Sequence, residues 1–138
     1  MPCAPDPLII TGETGTQRLI GYVLDVSGTD SCARCRLDVR DDHLNRHNVL
    51  HGGIISCLLD SAAGATASMQ VDPGGRQPFL SISLNVNFIA PARPGPVEAI
   101  GQITGGGRKL KLASAELRDK DGRLIATSTG TYKQVSAP

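Results

Sequence analysis

The sequence predicts an α+β domain in which an antiparallel sheet of about six strands wraps one long central helix, and three observations carry that prediction. First, between Gly52 and Val71 the residues Ile54, Ile55, Leu58, Leu59, Ala62, Ala65, Thr66 and Met69 recur at three- and four-residue steps, the helical period. Second, Leu80, Ile82, Leu84, Val86 and Phe88 alternate strictly with Ser81, Ser83, Asn85 and Asn87, which gives a strand with one dry and one hydrogen-bonding face. Third, alternating segments lie on both sides of this pair, at 16–26 and 31–40 before it and at 97–104, 109–118 and 124–132 after it. A helix that is apolar over most of its circumference must be enclosed, and a sheet curled around it satisfies helix and strands together.

Taken in order, residues 1–15 read as an N-terminal extension to a single domain spanning 1–138. The strands at 16–26 and 31–40 are joined by Ser27-Gly28-Thr29-Asp30, a run of turn formers. The segment DDHLNRHNVLH that follows is polar and aperiodic, hence a loop, and the helix opens at Gly52 and stops before Asp72-Pro73-Gly74-Gly75. Pro91, Pro94 and Pro96 close the clean strand, since proline cannot donate to a ladder. Gly105-Gly106-Gly107 and Asp121-Gly122 turn the chain between the last three strands.

Composition removes several classes of function. With 138 residues the chain is long enough for one domain with a real core. Fourteen basic against 13 acidic residues give a net charge of +1, and with no Trp, 2 Tyr and 2 Phe there is little for a nucleic acid to be drawn to or stack on. No nucleic-acid partner is expected. MPCAPDPLII lacks the basic and long apolar regions of a secretory signal, and Asp60, Ser56, Ser61, Ser68 and Gln70 make lipid a costly surrounding for the helix. A cytoplasmic protein off the membrane is the expectation. Cys32 and Cys35 have CxxC spacing, but in a strand residues three apart face opposite ways, and no second pair completes a zinc set. No metal and no organic cofactor are expected. Gly105-Gly106-Gly107-Arg108-Lys109 lacks the GK[ST] ending of a phosphate loop and joins two strands. Its cations, with Lys111, are candidates for contact with a phosphate-bearing ligand at the surface.

Asp60 is the one charged side chain between His51 and Val71. It lies well past the first helical turn, so it cannot cap the helix, and burying it unpaired would cost on the order of several kcal/mol. Something must offset that cost. Withdrawing a carboxylate from water makes a surface charge into a usable base, which marks Asp60 as the first candidate for chemistry. The bland alternative is a carboxylate that merely bonds a neighbouring backbone group or Ser.

His43-Leu44-Asn45-Arg46-His47-Asn48-Val49-Leu50-His51-Gly52-Gly53-Ile54, then Asp60 in the helix, then Phe88-Ile89-Ala90-Pro91 at the end of the clean strand, together resemble the hotdog-fold acyl-CoA thioesterases of the phenylacetate-degradation type. The likeness runs from about residue 21 to residue 132 and includes the element order. An HGG tripeptide by itself is unspecific. The upstream Asn, the Asp eight residues after the first glycine, and the aromatic-x-x-Pro strand end make the combination specific.

The resemblance implies hydrolysis of an acyl-CoA or aryl-CoA to free acid and CoA, with Asp60 as general base or nucleophile. It also implies that Gly52 polarises the thioester carbonyl, and that Asn45 and Ser81 hold water or the thioester. His51 is carried over as the histidine of HGG, with shaping of the helix start as its task. The physics agrees, because the amides of Gly52 and Gly53 are among the unpaired donors at the positive end of the helix. Gly53, Arg108, Lys109 and Lys111 are the expected substrate-binding residues. Where certain aryl-CoA relatives carry Thr or Ser one turn after the carboxylate, this chain has Gly64, so water positioning by that residue is lost.

Gly52 and Asp60 stand eight residues apart, about 12 Å along one helix, too far to act on one carbon. Two antiparallel helices across a two-fold axis would unite them, so the spacing favours an obligate homodimer. The resemblance adds a dimer of dimers. Two alternatives stand beside hydrolysis: a hotdog protein that binds acyl-CoA or an acyl carrier without turnover, and a dehydratase built on a catalytic histidine.

Overall fold

The structure, a computed structural model, describes residues 6–136. One long helix, α2 (Gly52–Met69), packs on a seven-stranded sheet in which every neighbouring pair is antiparallel. The α+β class and the hotdog architecture expected from the sequence are those found. The strands are β1 (Ile9–Ile10), β2 (Val23–Asp25), β3 (Arg34–Val39), β4 (Phe79–Phe88), β5 (Gly95–Gly106), β6 (Leu110–Asp119) and β7 (Leu124–Gln134). Their order across the sheet is β1-β2-β3-β5-β6-β7-β4, which leaves β4 on a free edge beside β7.

The sheet grips the helix through small residues. Leu58, Leu59, Ala62 and Ala63 of α2 are fully buried, and the strands meet them with Cys35, Ala99, Ala113, Ala115, Ile125 and Ala126. At Gly101 of β5 even a methyl group would overlap the Ala62 carbonyl oxygen and Thr66 Oγ1, so only glycine allows this approach. Thr66 then locks the contact, donating to the Ala62 carbonyl at 2.8 Å and accepting the Ala33 amide at 2.9 Å. Among the described residues no helix is long and apolar enough to cross a membrane.

Two readings change. The strand expected at 16–26 is a short helix, α1 (Gly15–Ile20), followed by β2. Thr14 caps that helix by accepting the Gln17 amide, and Gly21 ends it in the left-handed region at φ 91°. The buried Gln17 side chain then donates to the carbonyls of Ile10 and Tyr22, tying β1 and β2 to the turn between them. These local caps outweigh an alternation too short to hold a strand. The seventh strand is β1, whose two residues pair with β2.

The strict alternation of β4 is also interrupted. Ser81 pairs with Tyr132 but Ser83 pairs with Thr131, so Ile82 is an extra residue in a β-bulge. The bulge turns Ser81 to the helix side, the side that Leu84, Val86 and Phe88 face beyond it. A polar residue thereby reaches an otherwise apolar face.

Candidate active site

Three built features surround α2. The first is the loop that enters it. His43, buried after a 3₁₀ turn at Asp41–His43, accepts the Arg40 amide on Nδ1 and donates from Nε2 to the Ile20 carbonyl, fixing the start of the loop. Asn45 then closes a tight turn, its Oδ1 accepting the amides of His47 at 2.9 Å and Val49 at 3.3 Å. Asn48 adopts φ 60°, a left-handed conformation that asparagine tolerates. With Oδ1 committed, the side-chain NH₂ of Asn45 is the group left to donate elsewhere.

The second feature is the first turn of α2. His51 is the N-cap and its Nδ1 accepts the Gly53 amide at 2.9 Å. In the neutral ring that bond places the proton on Nε2, so neither nitrogen keeps a free lone pair for base catalysis. Gly53 is thus not the free donor the sequence suggested. Gly52 is: its amide has no acceptor among the described residues. The Phe88 ring lies so close over Gly52 that a Cβ there would sit 3.2 Å from it, a physical reason for an aromatic residue at the end of β4. Gly52 and Asn45 share a cavity of about 400 Å³ whose other walls are apolar, among them Ile55, Phe88 and Ile89.

The third feature lies two turns further on. Asp60 is half-buried, on a partly exposed stripe of α2 that includes Gly53, Ser56, Cys57, Ser61 and Gly64. Ser81 donates to Asp60 Oδ1 at 2.7 Å and Tyr132 donates to the same oxygen at 3.0 Å. Oδ2 receives no hydrogen bond among the described residues. Tyr132, 1 % exposed, was not among the residues singled out from the sequence. Burial first, then the Asp60 charge and the hydrogen bond to it, push its phenol well above the usual range, so it stays a protonated donor at neutral pH.

The cations divide. Arg108 and Lys109 are exposed together at one end of the sheet, lining a shallow depression with Lys133 and Gln134. Lys111 is half-buried and in register with Tyr132. None of the three forms an ion pair among the described residues. One chain therefore brings Asn45 to Gly52, and Ser81 to Asp60, but keeps these two pairs at separate places on the helix.

One long helix packed on a seven-stranded antiparallel sheet is the hotdog fold. The chain belongs to the thioesterase superfamily, whose family model matches residues 47–126. It is similar to acyl-coenzyme A thioesterase 13 of Mus musculus, with 32 % identity over 85 % of this chain and 83 % of that one. Among solved structures it is similar to the PaaI protein of the E. coli phenylacetic acid degradation operon, at TM-score 0.78 and 17 % identity over 91 % of this chain and 87 % of that one. The BH2602 protein of Bacillus halodurans, solved with CoA, overlays at TM-score 0.76 and 23 % identity over 90 % of this chain and 78 % of that one.

Proposed function

We propose that the chain hydrolyses acyl-CoA or aryl-CoA thioesters to the free acid and CoA as an obligate homodimer, each site using the Gly52 end of one helix and Asp60 of the partner. The observation that carries this is the division of the site. Gly52 and Asn45 offer donors where a carbonyl oxygen would lie, while Asp60 offers a free carboxylate oxygen on a partly exposed helix stripe. The two halves stand eight residues apart on one helix, about 12 Å, and cannot serve one carbon unless a second chain intervenes.

The free edge suits that second chain. β4 is a ten-residue edge strand with Leu80 and Ile82 each 59 % exposed and Phe88 58 % exposed. A long apolar edge is a liability unless it is paired. Two-fold pairing of β4 with β4 extends the sheet and sets the helices antiparallel on it.

In the assembled site the substrate carbonyl accepts from the Gly52 amide and the Asn45 side chain. Water attacks the carbonyl carbon as Asp60 takes its proton, the tetrahedral oxyanion rests on those donors, the C–S bond breaks, and the sulfur leaves with the proton. Attack by Asp60 itself, through an anhydride opened by water, uses the same geometry. Arg108 and Lys109 would meet the phosphates of CoA, as forked and point charges respectively at the rim. The dehydratase reading is disfavoured by His51, whose lone pair is spent on Gly53. Kinship to an acyl-coenzyme A thioesterase and a fold shared with a CoA-bound protein support CoA over other carriers.

Thiol release from a panel of short, long and aromatic acyl-CoAs, run with wild type and Asp60→Asn, tests the proposal. Turnover of at least one substrate that collapses in Asp60→Asn is expected. Equal rates in both proteins would refute it, as would a monomer with full activity.

A further inference from the structure

We propose that Tyr132 is a positioning residue, its hydroxyl acting with that of Ser81 to hold the Asp60 carboxylate so that Oδ2 alone faces the reacting atoms. This rests on the hydrolase reading above and adds to it a residue far from the helix in sequence. Asp60 has two oxygens, and both protein donors converge on one of them, at 2.7 Å and 3.0 Å. A carboxylate bonded evenly by its two oxygens would be only a satisfied buried charge. One bonded twice on the same oxygen has its rotation about χ2 fixed and its second oxygen offered outward.

The backbone is shaped for this contact. Ser81 and Tyr132 are opposite each other on β4 and β7, and the bulge at Ile82 puts Ser81 on the helix side with Tyr132. The tyrosine ring lies against two glycines. At Gly64 of α2 a Cβ would stand 3.6 Å from the ring, and at Gly130 of β7 it would stand 2.9 Å from the ring and 3.0 Å from the hydroxyl. The second spacing is closer than carbon atoms tolerate, so a side chain at position 130 would drive the ring off its seat. Gly64 has a role here as well: a larger residue one turn after Asp60 would compete with the ring for this space.

The test is Tyr132→Phe, which deletes the hydroxyl and keeps the ring. Losing one hydrogen bond to a charged group predicts a fall in kcat of about tenfold or more with KM within about twofold. The melting temperature should stay near that of wild type, and in a crystal structure of the variant the Asp60 carboxylate should rotate. Ser81→Ala combined with Tyr132→Phe should lose more than the product of the single losses, since either donor alone partly holds the same oxygen. The ¹³C resonance of the Tyr132 ring Cζ, one of 2 tyrosine signals in the chain, gives a measurement on the unaltered side chain. It should move between wild type and Asp60→Asn.

Unchanged kcat in Tyr132→Phe, a fall in kcat matched by a rise in KM and a large loss of melting temperature, or a Cζ signal indifferent to Asp60→Asn would each overturn the proposal. A wild-type chain that hydrolyses no thioester removes the functional reading itself. An Asp60-dependent enzyme indifferent to Tyr132→Phe removes only the role of Tyr132.

Discussion

The first turn of α2 and its middle solve opposite problems with different parts of the chain. At the first turn the useful group is a backbone amide, supplied by every helix, and the residues around it act by leaving it free: Gly52 has no side chain, and His51 takes up the neighbouring Gly53 amide. In the middle every backbone group is spent within the helix, so the useful group must be a side chain. Asp60 is expensive to keep there and is held by hydroxyls from two strands. The first turn is therefore sensitive to added volume at Gly52, and the middle to the loss of a charge or a hydroxyl.

Asp60→Asn should sharpen that contrast most. It preserves shape and removes the charge, so it should lower kcat by about 10³-fold or more, as loss of a general base or nucleophile does, while the dimer stays folded. The division of the site can then be broken deliberately. Asn45→Ala and Asp60→Asn chains, each nearly inactive alone, should regain activity when co-refolded. Random pairing makes about half the dimers mixed, each with one intact site of two, so about a quarter of wild-type activity is expected. Recovery absent from such mixtures, with mixed dimers demonstrated by mass spectrometry, would place both halves in one chain.

Gly52→Ala should have the next largest effect. Its new Cβ would stand 3.2 Å from the Phe88 ring, which must shift into the cavity that Asn45 shares. A displaced carbonyl site costs about 10- to 100-fold in kcat, and Phe88→Leu in the same chain should restore part of it by giving the methyl room. If Gly52→Ala is silent, volume is not what the first turn guards.

The legible parts of the molecule were those in which one local pattern has one meaning. The 3.6-residue period of α2, the turn at Asp121-Gly122 and the isolation of Asp60 in an apolar run all survive in the structure. The illegible parts depend on contacts across the fold. Ser81 lies on the polar side of a strict alternation, and only the bulge at Ile82, set by pairing with β7, turns it toward Asp60. Tyr132 is 72 residues from Asp60 and ends a strand whose pattern gives no hint of a carboxylate beneath it. At 16–26 the signal was present but outvoted, since Thr14, Gln17 and Gly21 spell a capped helical turn.

The smallest effect separates the two regions by pH. Tyr132 is pushed above the ordinary phenol range by burial and by Asp60, and Tyr22 is pushed up by burial. A group whose pKa is higher in the folded than in the unfolded chain stabilises the fold fully below its unfolded value and loses that contribution as pH climbs toward its folded value. Above about pH 10 the unfolded chain has released a proton that Tyr132 retains in the fold, so this tyrosine should lower stability by up to about 1.4 kcal/mol per pH unit. The thiols of Cys35 and Cys57, also pushed up by burial, add to this decline, so the difference between wild type and Tyr132→Phe is what reports the phenol over Asp60. Urea unfolding between about pH 9 and pH 11 should show a steep decline in wild type and a shallower one in Tyr132→Phe. Identical slopes in the two proteins would mean that the phenol over Asp60 ionises as readily folded as unfolded, and that the carboxylate beneath it exerts no pull.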